Sequence, residues 1–253
     1  EIDSYKHYSG KWQFDTIFFG GGTPSLLPAN FLEQILQRLH DTFDTSKVKE
    51  ITLEANPGEA PLEHLKDIRG LGVNRLSMGF QSFNDKILKL LGRLHQSSDC
   101  FKTFKNARKA GFDNINADMI FNIPGLSITN WEKDLKELLK LNPEHISAYS
   151  LTVEKNTTLY SLTKNNTIIM PNESIEIDMF NACKSILGNN NYLQYEISVM
   201  QLEQLHQFQN SMHHKQFHMC YFQRLLVSPL IYLHYYVDKY LLLYQLLYFY
   251  IWV

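Results

Sequence analysis

Within the first 150 residues, short apolar runs alternate five times with helical stretches, and this alternation restricts the fold more than any other feature. The predicted strands are 15–19 (DTIFF), 49–53 (KEITL), 73–80 (VNRLSMGF), 114–120 and 145–151 (HISAYSL). Between them, Phe31, Leu32, Ile35, Leu36 and Leu39 recur at helical spacing after Pro28. Leu62, Leu65 and Ile68 mark a second helix, which Gly70 and Gly72 would end. Ile87, Leu88 and Leu91 mark a third; Phe101, Phe104 and Ala107 a fourth, capped by Gly111; Trp131, Leu135, Leu138 and Leu139 a fifth. Strand starts lie roughly 25–40 residues apart, the spacing of βα repeats joined by crossover helices. An α/β fold with parallel strands follows. Periodicity does not separate an open sheet from a partial barrel. Residues 154–171 read as a polar excursion, and 173–187 as one further helix.

Parallel strands end on one side of their sheet, so polar residues at successive strand ends converge there. Gly20-Gly21-Gly22-Thr23-Pro24, Glu54, Gln81 and Asp118 fall at such places. The glycine run would let backbone amides approach a ligand, or is only a tight turn. It is not GxGxxG, and no acidic residue follows on the second strand where a dinucleotide fold needs one. Glu54 would pair with an ammonium group or hold a loop cation. Gln81 suits a sugar hydroxyl. Asp118 sits in an apolar strand, where an unpaired charge is costly, so it needs a ligand or an ion pair to Arg75 or Arg93. Arg93 would clamp a carboxylate, or is a surface arginine. A polar, nucleotide-like cofactor suits the set.

Other chemistries find less support. Twenty-four Lys and Arg against 26 Asp and Glu give a net charge of −2, which argues against a nucleic-acid partner. Cys100, Cys183 and Cys220 are too far apart for a disulfide framework or a local metal knot, which favours a reducing cytoplasm. His95 and His145 read as lying near the rim, without HxH or HExxH spacing, and His206, His213, His214 and His218 cluster further on. No GxSxG elbow is present. The polar opening, Glu1 to Lys6, does not read as a signal peptide, and a start without Met fits a fragment as well as a processed chain.

From residue 199 the character changes. Residues 240–253 (YLLLYQLLYFYIWV) carry no formal charge, and eight of the 14 tyrosines lie between 221 and 250, with neither amphipathic period nor turn punctuation. Asp238 and Lys239 leave each uncharged arm shorter than the ~20 residues of a membrane helix. Three readings stand: a membrane-contacting tail, an unusual core segment, or a translation out of frame. Residues 1–198 are therefore expected to form one domain, and 199–253 an atypical low-charge tail.

Five ordered motifs resemble the radical S-adenosylmethionine (radical SAM) proteins: Gly20–Pro24, Glu54-Ala55-Asn56-Pro57, Arg75–Ser82, Asn116–Ile120 and Ile123-Pro124-Gly125. The similarity covers about residues 1–198 and is greatest to the oxygen-independent coproporphyrinogen III oxidases and the haem chaperones related to them. Pro143–Thr152 and Tyr195-Glu196-Ile197-Ser198 resemble the chaperone side. The resemblance implies a partial (β/α)6 barrel. It places Gly20, Gly21, Gly22 and Thr23 at the amino group of SAM, Glu54 and Arg93 at its methionine moiety, and Gln81 and Asp118 at its ribose hydroxyls. It also implies a [4Fe-4S] cluster, haem or porphyrin as the bound tetrapyrrole, and haem-acceptor membrane enzymes as partners. Location would be cytoplasmic or peripheral to the membrane, and a dimer is left open.

Two departures qualify these expectations. The family's CxxxCxxC loop precedes its glycine-rich motif, and no cysteine precedes Gly20 here, so the first barrel strand and cluster loop are expected to be absent. The barrel would then be incomplete, with a bare sheet edge and marginal stability. After Ser198 the family pattern stops, and His213-His214 is not its HNxxYW-like motif. Besides the haem chaperone, a coproporphyrinogen oxidase and a non-enzymatic nucleotide-binding domain remain as readings. The fragment is expected to be inactive, with no catalytic or metal-ligating residue assigned.

Overall fold

The protein is seen here as a computed structural model that describes residues 2–11 and 13–203, together with the backbone of 231–235. Strands β1 (Phe14–Phe19), β2 (Glu50–Ala55), β3 (Arg75–Gln81), β4 (Ile115–Phe121) and β5 (His145–Ser150) lie side by side in chain order, each parallel to the next. The intervening helices are α1 (Ala29–Thr42), α2 (Leu62–Gly70), α3 (Asp85–Leu90), α4 (Ser97–Lys109) and α5 (Ile128–Leu139). Right-handed crossovers between neighbours taken in order place every such helix on one face of the sheet.

Side chains alternate along a strand, so each strand gives one set of residues to the helices and the other to the opposite face. Ile17, Leu53, Leu76, Met78, Ala117, Met119 and Ile146 share one buried cluster with Leu32 and Leu39 of α1, Leu65 and Ile68 of α2, and Trp131 and Leu135 of α5. The other set, Thr52, Glu54, Ser77, Asn116, Asp118 and Ser147, is polar and lines the face without crossover helices. Phe31, which the sequence spacing places in the core stripe of α1, is 51% exposed. Leu32, Leu36 and Leu39 already fill the i, i+4, i+7 face, and Phe31 falls about 100° around the helix from Leu32. Gly72, with φ of +98°, ends α2, whereas Gly70 still belongs to it.

Beyond β5 comes α6 (Thr158–Lys164), which buries none of its residues within the polar excursion, and α7 (Glu173–Gly188), which buries Met179, Cys183 and Leu187. The chain then reverses. β6 (Tyr192–Gln194) pairs with β7 (Val199–Leu202), and β7 pairs antiparallel with β5. At the far edge, β8 (Ile231–Tyr235) runs antiparallel to β1. The sheet order is β6-β7-β5-β4-β3-β2-β1-β8, an open and mostly parallel sheet. The edge of β1 expected to be bare is thus occupied by β8, since unpaired backbone groups on an edge strand template a further strand. The remaining tail, residues 204–230 and 236–253, lies outside the described residues, as do Cys220 and the histidines His206, His213, His214 and His218.

Candidate functional site

Each candidate side chain reaches the mouth between the C-terminal halves of β1–β4 by its own local device. Past Phe19 the glycine run turns the chain away, with Gly21 and Gly22 at φ of +76° and +55°, a region that L side chains rarely enter. The turn aims the Gly21 N–H at Glu54 Oε2, 2.8 Å away. A Cβ on Gly20 would lie 2.6 Å from the Phe18 ring and 3.2 Å from the Glu54 carboxyl carbon, so loop and carboxylate are in contact. Glu54 itself belongs to β2, one residue before its end, on the polar face.

Asn56, the next residue on that face, ties three segments together. Its Nδ2 donates to Thr23 Oγ1 at 3.0 Å, and its Oδ1 accepts from Arg93 Nη1 at 3.4 Å. Arg93 follows α3, where Gly92 at φ of +72° closes the helix. Gly92 N–H returns to Lys89 O and Arg93 N–H to Leu88 O, a C-terminal motif that fixes the direction of the exit. The arginine is part-buried, not a free surface residue. Burial lowers its pKa, while Glu59 and then Asp118 act through space to raise it.

Gln81 closes β3. A bulge separates the Met78–Ala117 pairing from the Gln81–Met119 pairing, so three steps on β3 oppose two on β4. Gln81 has φ of +66°, and Ser82 N–H donates to Phe80 O at 2.8 Å, closing a three-residue turn that is strained for any residue but glycine. The Gln81 amide lies over Gly79. A Cβ there would meet Gln81 Nε2 at 2.7 Å and Asn56 Oδ1 at 3.1 Å.

Asp118 lies at the middle of β4, not past its end. It accepts from Asn116 Nδ2 at 2.8 Å and Ser77 Oγ at 3.1 Å. Asn116 also donates to Ser77 Oγ and accepts from Ser147 Oγ, so three neighbouring strands hold the carboxylate. Arg75, one expected ion-pair partner, lies 4.0 Å from Glu50 and acts on Asp118 through space, lowering its carboxyl, without a direct bond. Burial pushes the Asp118 carboxyl up, and the bonds from Asn116, Ser77 and Ser147 pull it back. Burial likewise raises Glu54 to about 7, with the Gly21 N–H opposing it and the Asp118 charge adding to it.

Gly20–Thr23, Glu54, Gln81, Arg93 and Asp118 are therefore brought to one mouth, linked by Asn56 and by electrostatic coupling of Asp118 to both Glu54 and Arg93. Sequence reasoning missed the connecting role of Asn56, and also Glu59, Ser77, Asn116 and Ser147. Period-two alternation from Glu54 and Asp118 would have found Asn56 and Asn116; Ser77 and Ser147 need the strand register. His145 is not at the rim: it opens β5 at the opposite end, with its ring 6.4 Å from that of Tyr195. His95 is buried beside the rim, as expected, its Nε2 3.3 Å from Phe80 O, with Arg93 and Glu59 acting on it through space.

The acidic groups Glu54, Glu59 and Asp118 outnumber the guanidiniums that act on them, Arg93 on Glu59 and Asp118 and Arg75 on Asp118, so the mouth favours a ligand of net positive charge that also offers a carboxylate and hydroxyl groups. Cys100 on α4 and Cys183 on α7 are buried free thiols, each pushed up to about 12 by burial. Among the described residues no group of three or more His, Cys, Asp and Glu is placed to hold a metal ion. No helix among them is long and apolar enough to cross a membrane.

The sequence profile of the radical SAM superfamily matches residues 3–138. The chain is 37% identical over 191 residues to the heme chaperone HemW of Bacillus subtilis, covering 75% of this chain and 50% of that protein. It is 34% identical over 190 residues to the mitochondrial radical S-adenosyl methionine domain-containing protein 1 of Mus musculus, covering 75% and 43%. Among solved structures, the coproporphyrinogen III oxidase HemN of Escherichia coli, a radical SAM enzyme, superposes with a TM-score of 0.70 at 25% identity, covering 79% of this chain and 46% of that one. The chain spans about half the length of the curated relatives it matches. With the profile match extending over more than half of the sequence, the chain belongs to the radical SAM superfamily.

Proposed function

We propose that the mouth between the C-terminal halves of β1–β4 binds S-adenosylmethionine and that the chain is the cofactor-binding part of a haem chaperone. The observation that carries this is the meeting of Gly20–Thr23, Glu54, Gln81, Arg93 and Asp118 at one rim. The superfamily implies SAM and a [4Fe-4S] cluster. SAM fits the donor set. Its ammonium would sit against Glu54 and the glycine backbone, its carboxylate against Arg93, and its ribose hydroxyls against Gln81 and Asp118. Its sulfonium makes the ligand cationic overall, which suits the excess of carboxylates. When bound, this cofactor supplies radical chemistry, and the protein supplies binding and orientation. The described cysteines do not fit the cluster, being buried on different helices, so the cluster is proposed only for a protein of the relatives' full length.

Haem as the cargo rests on the relatives named heme chaperones, and haem-dependent membrane enzymes as its acceptors are the further step of the proposal. A cytoplasmic protein that meets the membrane peripherally fits that cargo, and the net charge of −2 gives no reason to add a nucleic acid. Dimerisation stays within the proposal. The second reading, coproporphyrinogen oxidation, is favoured by the HemN superposition, at lower identity than the chaperones show.

Calorimetry of SAM binding, with Gln81→Ala and Asp118→Ala as controls, tests the cofactor half; each variant is expected to weaken binding about tenfold or more. Wild-type chain without affinity for SAM would overturn it. Haem titration tests the other half: a saturable Soret shift is expected. Decarboxylation of coproporphyrinogen by the full-length protein would install the second reading instead.

A further inference from the structure

We propose that Asp134, acting through Ser82, is the positioning residue that holds Gln81 in its left-handed turn and so sets the site's affinity for a ribose-bearing ligand. Asp134 lies on α5 among the core residues Trp131, Leu135 and Leu138, and is only 3% exposed. A carboxylate in that setting is costly unless it is fully hydrogen-bonded. Its bonds all run to one place. Ser82 Oγ donates to Asp134 Oδ2 at 2.5 Å, and the Phe83 backbone N–H donates to the same carboxylate.

From there the order propagates. Ser82 Oγ accepts from Asn84 N–H at 3.0 Å, and Asn84 Oδ1 accepts from Lys86 N–H at 3.0 Å, capping α3. Ser82, Phe83 and Asn84 are thus fixed as a rigid bracket immediately after Gln81. Positive φ at a glutamine persists only where the surroundings over-determine it. Ser82 contributes twice: its N–H closes the turn onto Phe80 O, and its hydroxyl anchors the turn to α5. Without the anchor, Gln81 would relax out of φ +66° and its amide would leave Gly79 and Asn56. Arg93 would stay, because Ile87 and Leu88 are buried and the Gly92 turn is closed by its own backbone bonds.

This inference rests on the SAM reading of the mouth, so the test has an arm that needs no ligand. In the 253-residue chain, adenosine and methionine are titrated separately, as fragments for the Gln81 and Arg93 sides, against wild type, Ser82→Ala, Asp134→Ala and Asp134→Asn. Asp134→Ala is expected to raise the adenosine Kd about tenfold or more and to leave the methionine Kd within about twofold. Asp134→Asn, which keeps an acceptor for the Ser82 hydroxyl, should recover part of the loss. Amide exchange at Ser82 and Phe83 should accelerate about tenfold or more in Asp134→Ala, with Ile115 and Ala117 of β4, paired to Leu76 and Met78, unchanged. If wild type binds neither fragment, the SAM reading falls and the exchange arm alone decides the latch. Adenosine affinity or Ser82 exchange left unchanged by Asp134→Ala overturns the proposal. So does an equal loss of both fragments with faster exchange across β3 and β4, which would mark a general structural role.

Discussion

Glu54 is the residue whose chemistry is most exposed to experiment, because burial holds its carboxyl at about 7 against an ordinary 4.5. Below pH 4.5 it is protonated in folded and unfolded chains alike, and no penalty arises. Between 4.5 and about 7 the unfolded chain ionises first and draws stability away from the empty fold; above about 7 that loss is complete. A ligand ammonium reverses the shift. SAM affinity should therefore strengthen as pH rises towards about 7 and level off beyond it, with proton release visible in buffer-dependent binding enthalpies. Glu54→Gln should flatten that profile and weaken binding about tenfold or more. A wild-type profile already flat from pH 6 to 7 would contradict the assignment. Gly79→Ala tests a second contact: its Cβ would sit 2.7 Å from Gln81 Nε2, so the amide must move. SAM affinity should fall about tenfold, with thermal unfolding little changed because alanine suits a strand better than glycine. Glu54 and Gln81 were legible as polar residues just past predicted strands, and Asp118 as a polar residue inside an apolar one. Asp118's partners were not, because Ser77 and Ser147 come from other strands and a single sequence does not state register.

At the scale of elements, the parallel strands and their helices were readable because period-two and period-3.6 patterns recur with glycine stops between them. The errors lie where that pattern is local or short. The bulge in β3 is invisible to periodicity, yet it turns Gln81 towards the rim. β6 and β7 are three and four residues long, too short to register as strands. At the opposite end of the sheet, one polar staple joins α4, β4 and β5. Arg108 Nη2 donates to Glu144 Oε1 at 2.7 Å and to Asn142 O, Nη1 donates to Phe112 O, and Glu144 Oε2 accepts from Ile115 N–H at 2.9 Å. Glu144→Ala leaves the Ile115 N–H without its acceptor and a half-buried guanidinium without its counter-charge, though its bonds to Asn142 O and Phe112 O remain. It should cost about 2–3 kcal/mol in urea unfolding. Adenosine affinity should be unmoved, since the staple lies at the strand starts; a ligand defect without a stability defect would reverse that division.

At the scale of the molecule, sequential right-handed crossovers cover one face of the sheet with helices and leave the other polar. That asymmetry gathers residues spread from Gly20 to Asp118 at one end of the polar face. The sequence carried this much because convergence follows from topology alone. It did not carry the edge partner of β1, since antiparallel pairing by Ile231–Tyr235 joins segments more than 200 residues apart. The ends of β1–β3 and the middle of β4 are proposed to form a single SAM-binding mouth. Hydrogen–deuterium exchange of the chain titrated with SAM tests it most directly. Peptides spanning Gly20–Thr23, Glu54–Asn56, Gly79–Ser82 and Arg93 should gain protection together, at one SAM midpoint, while the Arg108–Glu144 end does not change. Protection confined to one of these segments, or none at saturating SAM, would contradict it.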